Sequence, residues 1–123
     1  MKLSDRIIVV ILALIFFASG AAKLAGLDFE IEAFQRWGYP LWFMYATGAF
    51  EVLGAILLVV SRTSAAAAAT LAAFMVGALG THVMHAEWGM LAVAAILMGL
   101  AARHAWRGYA QARKGEVVVS ASA

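Results

Sequence analysis

The residue with the clearest chemical potential is an acid in an apolar setting. Glu51 is the one charged residue in the run 41–61, which is long enough to cross a lipid bilayer. A carboxylate at that depth costs about 2.5–3.5 kcal/mol on insertion scales. Such a residue is therefore found where it has polar partners, lines a water-filled cavity or has a raised pKa and stays protonated. The position predicts proton exchange or the binding of a polar group.

Other polar residues lie on helical faces that could meet Glu51. At about 100° per residue, Thr47, Gly48 and Glu51 share a narrow face of their helix. Small residues on that face favour contact with other helices over contact with lipid. The candidate ligand-binding or proton-handling residues are Ser19, Lys23, Thr47, Glu51, Thr81, His82 and His85.

Depth limits which candidates can touch. Lys23 and His82 lie near the outer ends of their segments, whereas Glu51 is about ten residues, or roughly 15 Å, below the start of its own. A direct Lys23–Glu51 pair requires staggered helices. Otherwise water or a hydroxyl, from Ser19 or Thr81, must bridge the two charges.

The two histidines favour proton transfer over metal binding. His82 and His85 have an HxxH spacing, but a metal site needs a third ligand and supporting contacts. No metal is predicted, whereas titration near neutral pH suits a proton relay. The chain has no cysteine, which excludes disulfides and thiol redox chemistry within it.

Composition assigns the chain to the membrane. Of its 123 residues, 65% are hydrophobic and 13% charged, which is too apolar for a soluble domain of this size. The net charge of +2 does not indicate nucleic-acid binding, because the basic residues concentrate at the ends of apolar segments. The lipid bilayer is the predicted partner.

Four spans are predicted, at 7–24, 41–61, 64–86 and 88–106, within one membrane domain that covers 1–107. The short links between the later spans force neighbours to run antiparallel. The predicted fold is an all-α, four-helix antiparallel transmembrane bundle. The tail, 108–123, is predicted to be disordered.

The first connection, 25–40, alternates apolar and charged residues. It predicts a short amphipathic helix lying in the membrane interface between the first and second spans. Two interpretations stay open for this helix. It is either an interfacial linker or a lid over an outward-facing cavity.

The distribution of basic residues predicts orientation. Two basic residues, Lys23 and Arg36, lie on the side of the first connection. Seven lie on the side of both termini: Lys2, Arg6, Arg62, Arg103, Arg107, Arg113 and Lys114. Both termini are therefore expected in the cytoplasm of a bacterium, with the chain in the inner membrane. The first span also has signal-peptide features, but its length and flanks favour a retained helix.

Three motifs together resemble a known family. FFASGAAKLAG in the first span, FQRWGYP before the second and TGAFEVLGAILL within it are similar to the DoxX-like membrane proteins. The matching positions are Ser19, Gly20, Lys23, Gly48 and Glu51. The resemblance implies four spans and an association with membrane oxidoreductase systems, including quinone-linked ones. Some distant relatives are assembly factors.

Three functions are compatible with these residues. The first is a subunit or accessory of a membrane oxidoreductase, with a pocket for a lipophilic, quinone-like ligand lined by Lys23, Glu51 and His82. The second is a non-catalytic assembly protein, in a homodimer or larger complex, whose small-residue faces bind partners and whose Glu51 fixes packing. The third, a proton-coupled transporter, is weaker without broken helices or repeats. Whether the chain is an enzyme stays open, and a quinone is the one cofactor suggested.

Overall fold

The computed structural model describes residues 2–122, with the side chains of 117–119 and 122 excepted. Over this range the chain forms five α-helices and no strands. They are α1 (Leu3–Leu24), α2 (Asp28–Trp37), α3 (Leu41–Leu58), α4 (Ser64–Met84) and α5 (Trp88–Ser122). Within the same range, α1, α3, α4 and α5 are the helices long and apolar enough to cross a membrane. The predicted helical membrane bundle with a short interfacial helix is confirmed.

A tight turn at Gly38–Pro40 joins α2 to α3. The turn after α2 uses Gly38 in the left-handed conformation, with φ of 80°. The amide of Gly38 donates to the Gln35 carbonyl and that of Tyr39 donates to the Phe34 carbonyl, which closes the last turn of the helix. Pro40 then precedes α3, where its missing N–H costs nothing. The helix ends follow from this local chemistry.

The spanning helices pack as two close pairs. Helix α1 packs mainly on α3, and α4 mainly on α5, with lighter contact between the pairs. The first pair meets at Gly20 and Gly48, where a Cβ added to Gly20 would lie 2.6 Å from the Gly48 carbonyl oxygen. Glycine is required at this crossing because the backbones touch.

The core lies where the pairs face each other. Its fully buried large side chains are Leu12, Phe16, Leu58 and Leu71. A third or less of the most apolar stretch of each span is buried within the chain. The remaining apolar surface suits contact with lipid tails.

The bundle has two distinct ends. The end that carries α2 and the α4–α5 turn is here named the α2 end. The end that carries the start of α1 and the α3–α4 turn is named the terminal end.

The last helix continues into the tail. Helix α5 continues through Ser122 and is 35 residues long. Alanine, glutamine, arginine and lysine at 110–114 are good helix formers, which accounts for the continuation as far as Lys114. Gly108 itself packs against α4, since an added Cβ would lie 2.7 Å from the Ala65 Cβ. Ala123 lies outside the described residues.

Candidate functional site

Lys23 and Glu51 form a direct ion pair inside the bundle. Lys23 Nζ lies 2.9 Å from Glu51 Oε1, and the two residues are 9% and 4% exposed. A Cβ added to Gly48 would lie 2.8 Å from the Lys23 Cβ. The glycine crossing therefore allows the lysine stem to pass close to α3 and reach the acid. Lys23 and Glu51 therefore pair directly, without the bridging water or hydroxyl that their different depths in the sequence had left open.

A second carboxylate shares the same ammonium. Lys23 Nζ lies 3.5 Å from Glu30 Oε1 at the start of α2, and it donates a hydrogen bond to Ser19 Oγ at 2.8 Å. Among the described residues, no donor is aligned for a hydrogen bond to Glu51 Oε1, so its contact with Lys23 is electrostatic. Ser19, Lys23, Glu30 and Glu51 are here named the Lys23 cluster. It contains two acids and one base.

A separate cluster surrounds Glu87 in the α4–α5 turn. Trp37 Nε1 donates to Glu87 Oε1 at 2.9 Å, and His82 Nδ1 lies 3.0 Å from the same oxygen. Arg36 Nη2 lies 2.7 Å from Oε2. The hydrogen bond with His82, followed by those from Arg36 and Trp37, holds the pKa of Glu87 at about 2. Arg36, Trp37, His82 and Glu87 are here named the Glu87 cluster.

The structure divides the predicted site residues between these surroundings. Ser19, Lys23 and Glu51 come together, and Thr47 is buried one turn from Glu51 on the same helix. His82 belongs to the Glu87 cluster and not to a shared site with Lys23 and Glu51.

The other two predicted residues, Thr81 and His85, form hydrogen bonds within α4 or with the turn after α2. Thr81 Oγ1 lies 2.7 Å from the Tyr39 hydroxyl. The Nδ1 of His85 lies 2.8 Å from the Thr81 carbonyl oxygen, within one turn of the same helix. Neither residue bridges Lys23 and Glu51.

A third cluster, at the terminal end, was missed by sequence reasoning. Asp5 on α1 is 3% exposed and lies 3.2 Å from Arg103 Nη1 and 3.1 Å from Arg107 Nε on α5. Beside it, His104 Nε2 lies 2.7 Å from the buried Ser64 hydroxyl. Asp5, Arg103 and Arg107 are here named the Asp5 cluster. The i, i+4 spacing of the two arginines was a usable signal, because it places both on one helix face.

Glu30 and Glu87 were also missed as site residues. Their positions in the sequence could have identified them, because both lie in or beside the connections at the same end of the bundle as Lys23 and His82. Charged groups at one level of a bundle are the ones able to pair across helices.

An apolar groove runs along the seam between α1 and α3. Its lining residues are Val10, Ala13, Leu14, Phe17, Ala55, Ile56 and Val59. Phe17 and Lys23 are six residues apart, or about 240° around α1, so the groove and the ion pair lie on different faces of that helix. The ion pair does not line this groove, which is here named the α1–α3 groove.

The fold and its buried ion pair define a small polytopic α-helical membrane protein. Residues 7–103 match the sequence profile of the DoxX-like family, which is well over half of the chain. The chain belongs to the DoxX-like family, and the predicted resemblance is confirmed.

The chain is also similar to "Uncharacterized protein YdgD" of Bacillus subtilis. The two are 31% identical over 84 residues, which cover 65% of this chain and 74% of the relative. No solved structure matches the chain.

Proposed function

We propose that the chain is a proton-exchanging subunit or accessory of a membrane oxidoreductase system in the bacterial inner membrane. The proton site is the Lys23 cluster, and its lipophilic partner is a quinone-like molecule that binds beside it. The observation that carries the proposal is the charge ratio of two carboxylates, Glu51 buried and Glu30 half-buried, to one ammonium.

The charge ratio favours proton binding because the three charged side chains have little contact with solvent. The side chains of Lys23, Glu51 and Glu30 are 11%, 5% and 12% exposed. With both acids ionised the cluster has an excess negative charge, which is costly where the effective dielectric constant is low. Binding one proton removes that excess. The cluster is therefore suited to take up and release a proton without losing its ion pair.

The geometry also offers a short route for that proton. Glu30 belongs to α2 at the bundle end, while Glu51 lies within the span. Lys23 Nζ lies between them, 3.5 Å from one carboxylate and 2.9 Å from the other. Glu30, Lys23 and Glu51 thus form a continuous series of titratable groups from the end of the bundle to the interior of the span.

Proton exchange fits quinone chemistry. A quinone takes up a proton for each electron on full reduction, and a partner oxidoreductase would supply the electrons, since this chain has no cysteine. Family membership supports a membrane setting for such a partner. Helix α2, which contacts Lys23 through Glu30, would cover the site as a lid.

The test uses the full chain purified in mild detergent. Quinone extracted from the wild type is quantified per protein, and infrared difference spectra record carboxyl protonation across a pH titration. Glu51→Gln is expected to lose the protonation signal and the bound quinone. Glu32→Gln is the matched control, since Glu32 is an exposed acid of α2. A quinone-free wild type, or a protonation signal unchanged by Glu51→Gln, would overturn the proposal.

The orientation proposed for the chain places the terminal end in the cytoplasm. The excess of basic residues at that end supports it. Because the chain has no cysteine, single-cysteine variants at Ser4 and at Asp28 report sidedness directly. An impermeant thiol reagent added to intact spheroplasts should label the Asp28→Cys variant and spare the Ser4→Cys variant. The reverse pattern would refute this orientation.

A second candidate function is assembly of another membrane protein. The close Gly20–Gly48 crossing favours it. In this second function, the ion pair beside the crossing holds the packing of α1 on α3 and takes no part in proton exchange. In that case Glu51→Gln keeps partner binding in a pull-down from membranes. A proton-coupled transporter remains the weaker third candidate, and uptake assays in proteoliposomes would address it.

A further inference from the structure

The α1–α3 groove has two arginines beyond one of its ends. Arg6 precedes Val10 by four residues, so the two side chains lie about 40° apart on one face of α1. Arg62 follows Val59 by three residues, in the turn after α3. Both arginines are exposed. The groove therefore leads from apolar side chains to guanidinium groups.

The two arginines lie at one level of the bundle. Arg6 lies fourteen residues before Gly20 on α1, and Arg62 lies fourteen residues after Gly48 on the antiparallel partner. Fourteen helical residues span about 21 Å, and the short turn after α3 shortens the second path somewhat. The groove residues fall between the glycine contact and the arginines on both helices. One elongated molecule could contact the groove and both charges together.

These arginines differ from those of the Asp5 cluster. Arg103 and Arg107 share the carboxylate of Asp5. Within residues 2–122, neither Arg6 nor Arg62 forms an ion pair. Their guanidinium groups keep their donors for an external anion, and the planar fork suits phosphate oxygens.

We infer that the α1–α3 groove and the Arg6–Arg62 pair form a binding site for one anionic phospholipid. An acyl chain lies against the groove, whose lining is apolar, and the phosphate lies between the two arginines at the terminal end. Both parts follow from charge and polarity: a hydrocarbon tail matches Val10, Leu14 and Phe17, and an anionic headgroup matches two unpaired cations.

The experiment measures lipid retention by native mass spectrometry. Full-length protein is reconstituted in nanodiscs of equal phosphatidylglycerol and phosphatidylcholine, then released with its tightly held lipids. The wild type is expected to retain one phosphatidylglycerol. Arg6→Gln with Arg62→Gln should lower its retention about fivefold per arginine, or roughly 25-fold for both.

Three further variants separate the parts of the site. The charge-preserving pair Arg6→Lys and Arg62→Lys should keep most of the retention. Arg113→Gln with Lys114→Gln removes two exposed charges elsewhere at the same end and should have no effect. Val10→Trp, at an exposed groove position, should lower retention of both lipids by filling the groove.

Each result decides the inference. Wild-type retention in the double Gln variant would overturn it, as would an equal loss in the Arg113 and Lys114 control. Equal retention of the two lipids by the wild type would also refute it, since the arginines would then select no headgroup. Unchanged retention in Val10→Trp would remove the groove from the site.

Discussion

The two ends of the bundle have charge clusters of opposite ratio. At the α2 end, one ammonium, that of Lys23, lies between the carboxylates of Glu30 and Glu51. At the terminal end, one carboxylate, that of Asp5, lies between the guanidinium groups of Arg103 and Arg107. The two carboxylates at the α2 end share one cation, so one of them can take up a proton. Burial raises the pKa of the Asp5 carboxyl, but its two arginines outweigh that effect and lower the pKa below its ordinary value, so Asp5 stays ionised. The first cluster can therefore change its charge, and the second keeps its ion pairs fixed.

The comparison gives a rule for which residue matters most at each end. The single member of each cluster holds two partners, so its removal leaves two like charges close together. Removal of one of the paired members leaves a balanced ion pair. The predictions below test this rule, beginning with the largest expected effect.

Lys23→Met should be the most destabilising change. It leaves Glu30 and Glu51 without their cation in a buried setting, and removal of one partner of a buried pair costs about 3–5 kcal/mol. The free energy of unfolding in detergent micelles measures it. Lys114→Met, an exposed control, should change it little. A loss below about 1 kcal/mol, the range of surface pairs, would show that the cluster is effectively solvated.

Asp5→Asn should have the next largest effect. A charged hydrogen bond is worth about 1.5–3 kcal/mol, and the buried Asp5 side chain would lose its attraction to both arginines. Arg103→Gln should cost less than about 1 kcal/mol, because Arg103 is 41% exposed and Arg107 remains. Thermal unfolding of the two variants side by side tests this order. Equal losses would contradict the rule at the terminal end.

Gly20→Ala should disturb the α2 end through packing alone. The new methyl would meet the Gly48 backbone at 2.6 Å and separate α1 from α3, at a cost of about 1–3 kcal/mol. Gly77→Ala is the matched control within a helix, where an added Cβ meets nothing within 4 Å. It should stabilise by about 0.5–1 kcal/mol. The difference between their unfolding midpoints reports how tight the glycine crossing is.

The smallest effect near neutral pH is expected at Glu87. Its folded-state pKa of about 2 lies below the ordinary value of 4.5, so its contribution to stability is complete above that ordinary value. That contribution should fall as the pH drops from about 4.5 to about 2. Trp37 fluorescence, obtained as the difference from Trp37→Phe, follows the contact with Glu87. A transition between pH 7 and 5 would show that other groups control this contact.

The sequence was sufficient for the bundle because long apolar segments and tight links leave few arrangements. The short helix at Asp28–Trp37 followed from its alternating apolar and charged residues. The extension of α5 to Ser122 was not predicted, because the polar composition of that segment does not distinguish a helix from a frayed tail.

The candidate site could be predicted only in part. Lys23, Ser19 and Glu51 stood out as polar residues in apolar segments, but their direct contact depends on the closeness of two backbones. The Gly20–Gly48 crossing supplies that closeness, and a single sequence does not give helix crossings. Arg36 and Glu87 are 51 residues apart, so their pairing depends on the tertiary placement of two connections.

Helix α2 has a mechanical consequence for the two packed pairs. Through Glu30 it is joined to Lys23 of the α1–α3 pair, and through Arg36 and Trp37 it is joined to Glu87 beside the α4–α5 pair. A sliding or tilting of one pair against the other must stretch one of these two attachments or move α2. Relative motion of the pairs is therefore either resisted by these two attachments or transmitted through α2 to the Glu30 carboxylate at the Lys23 ammonium.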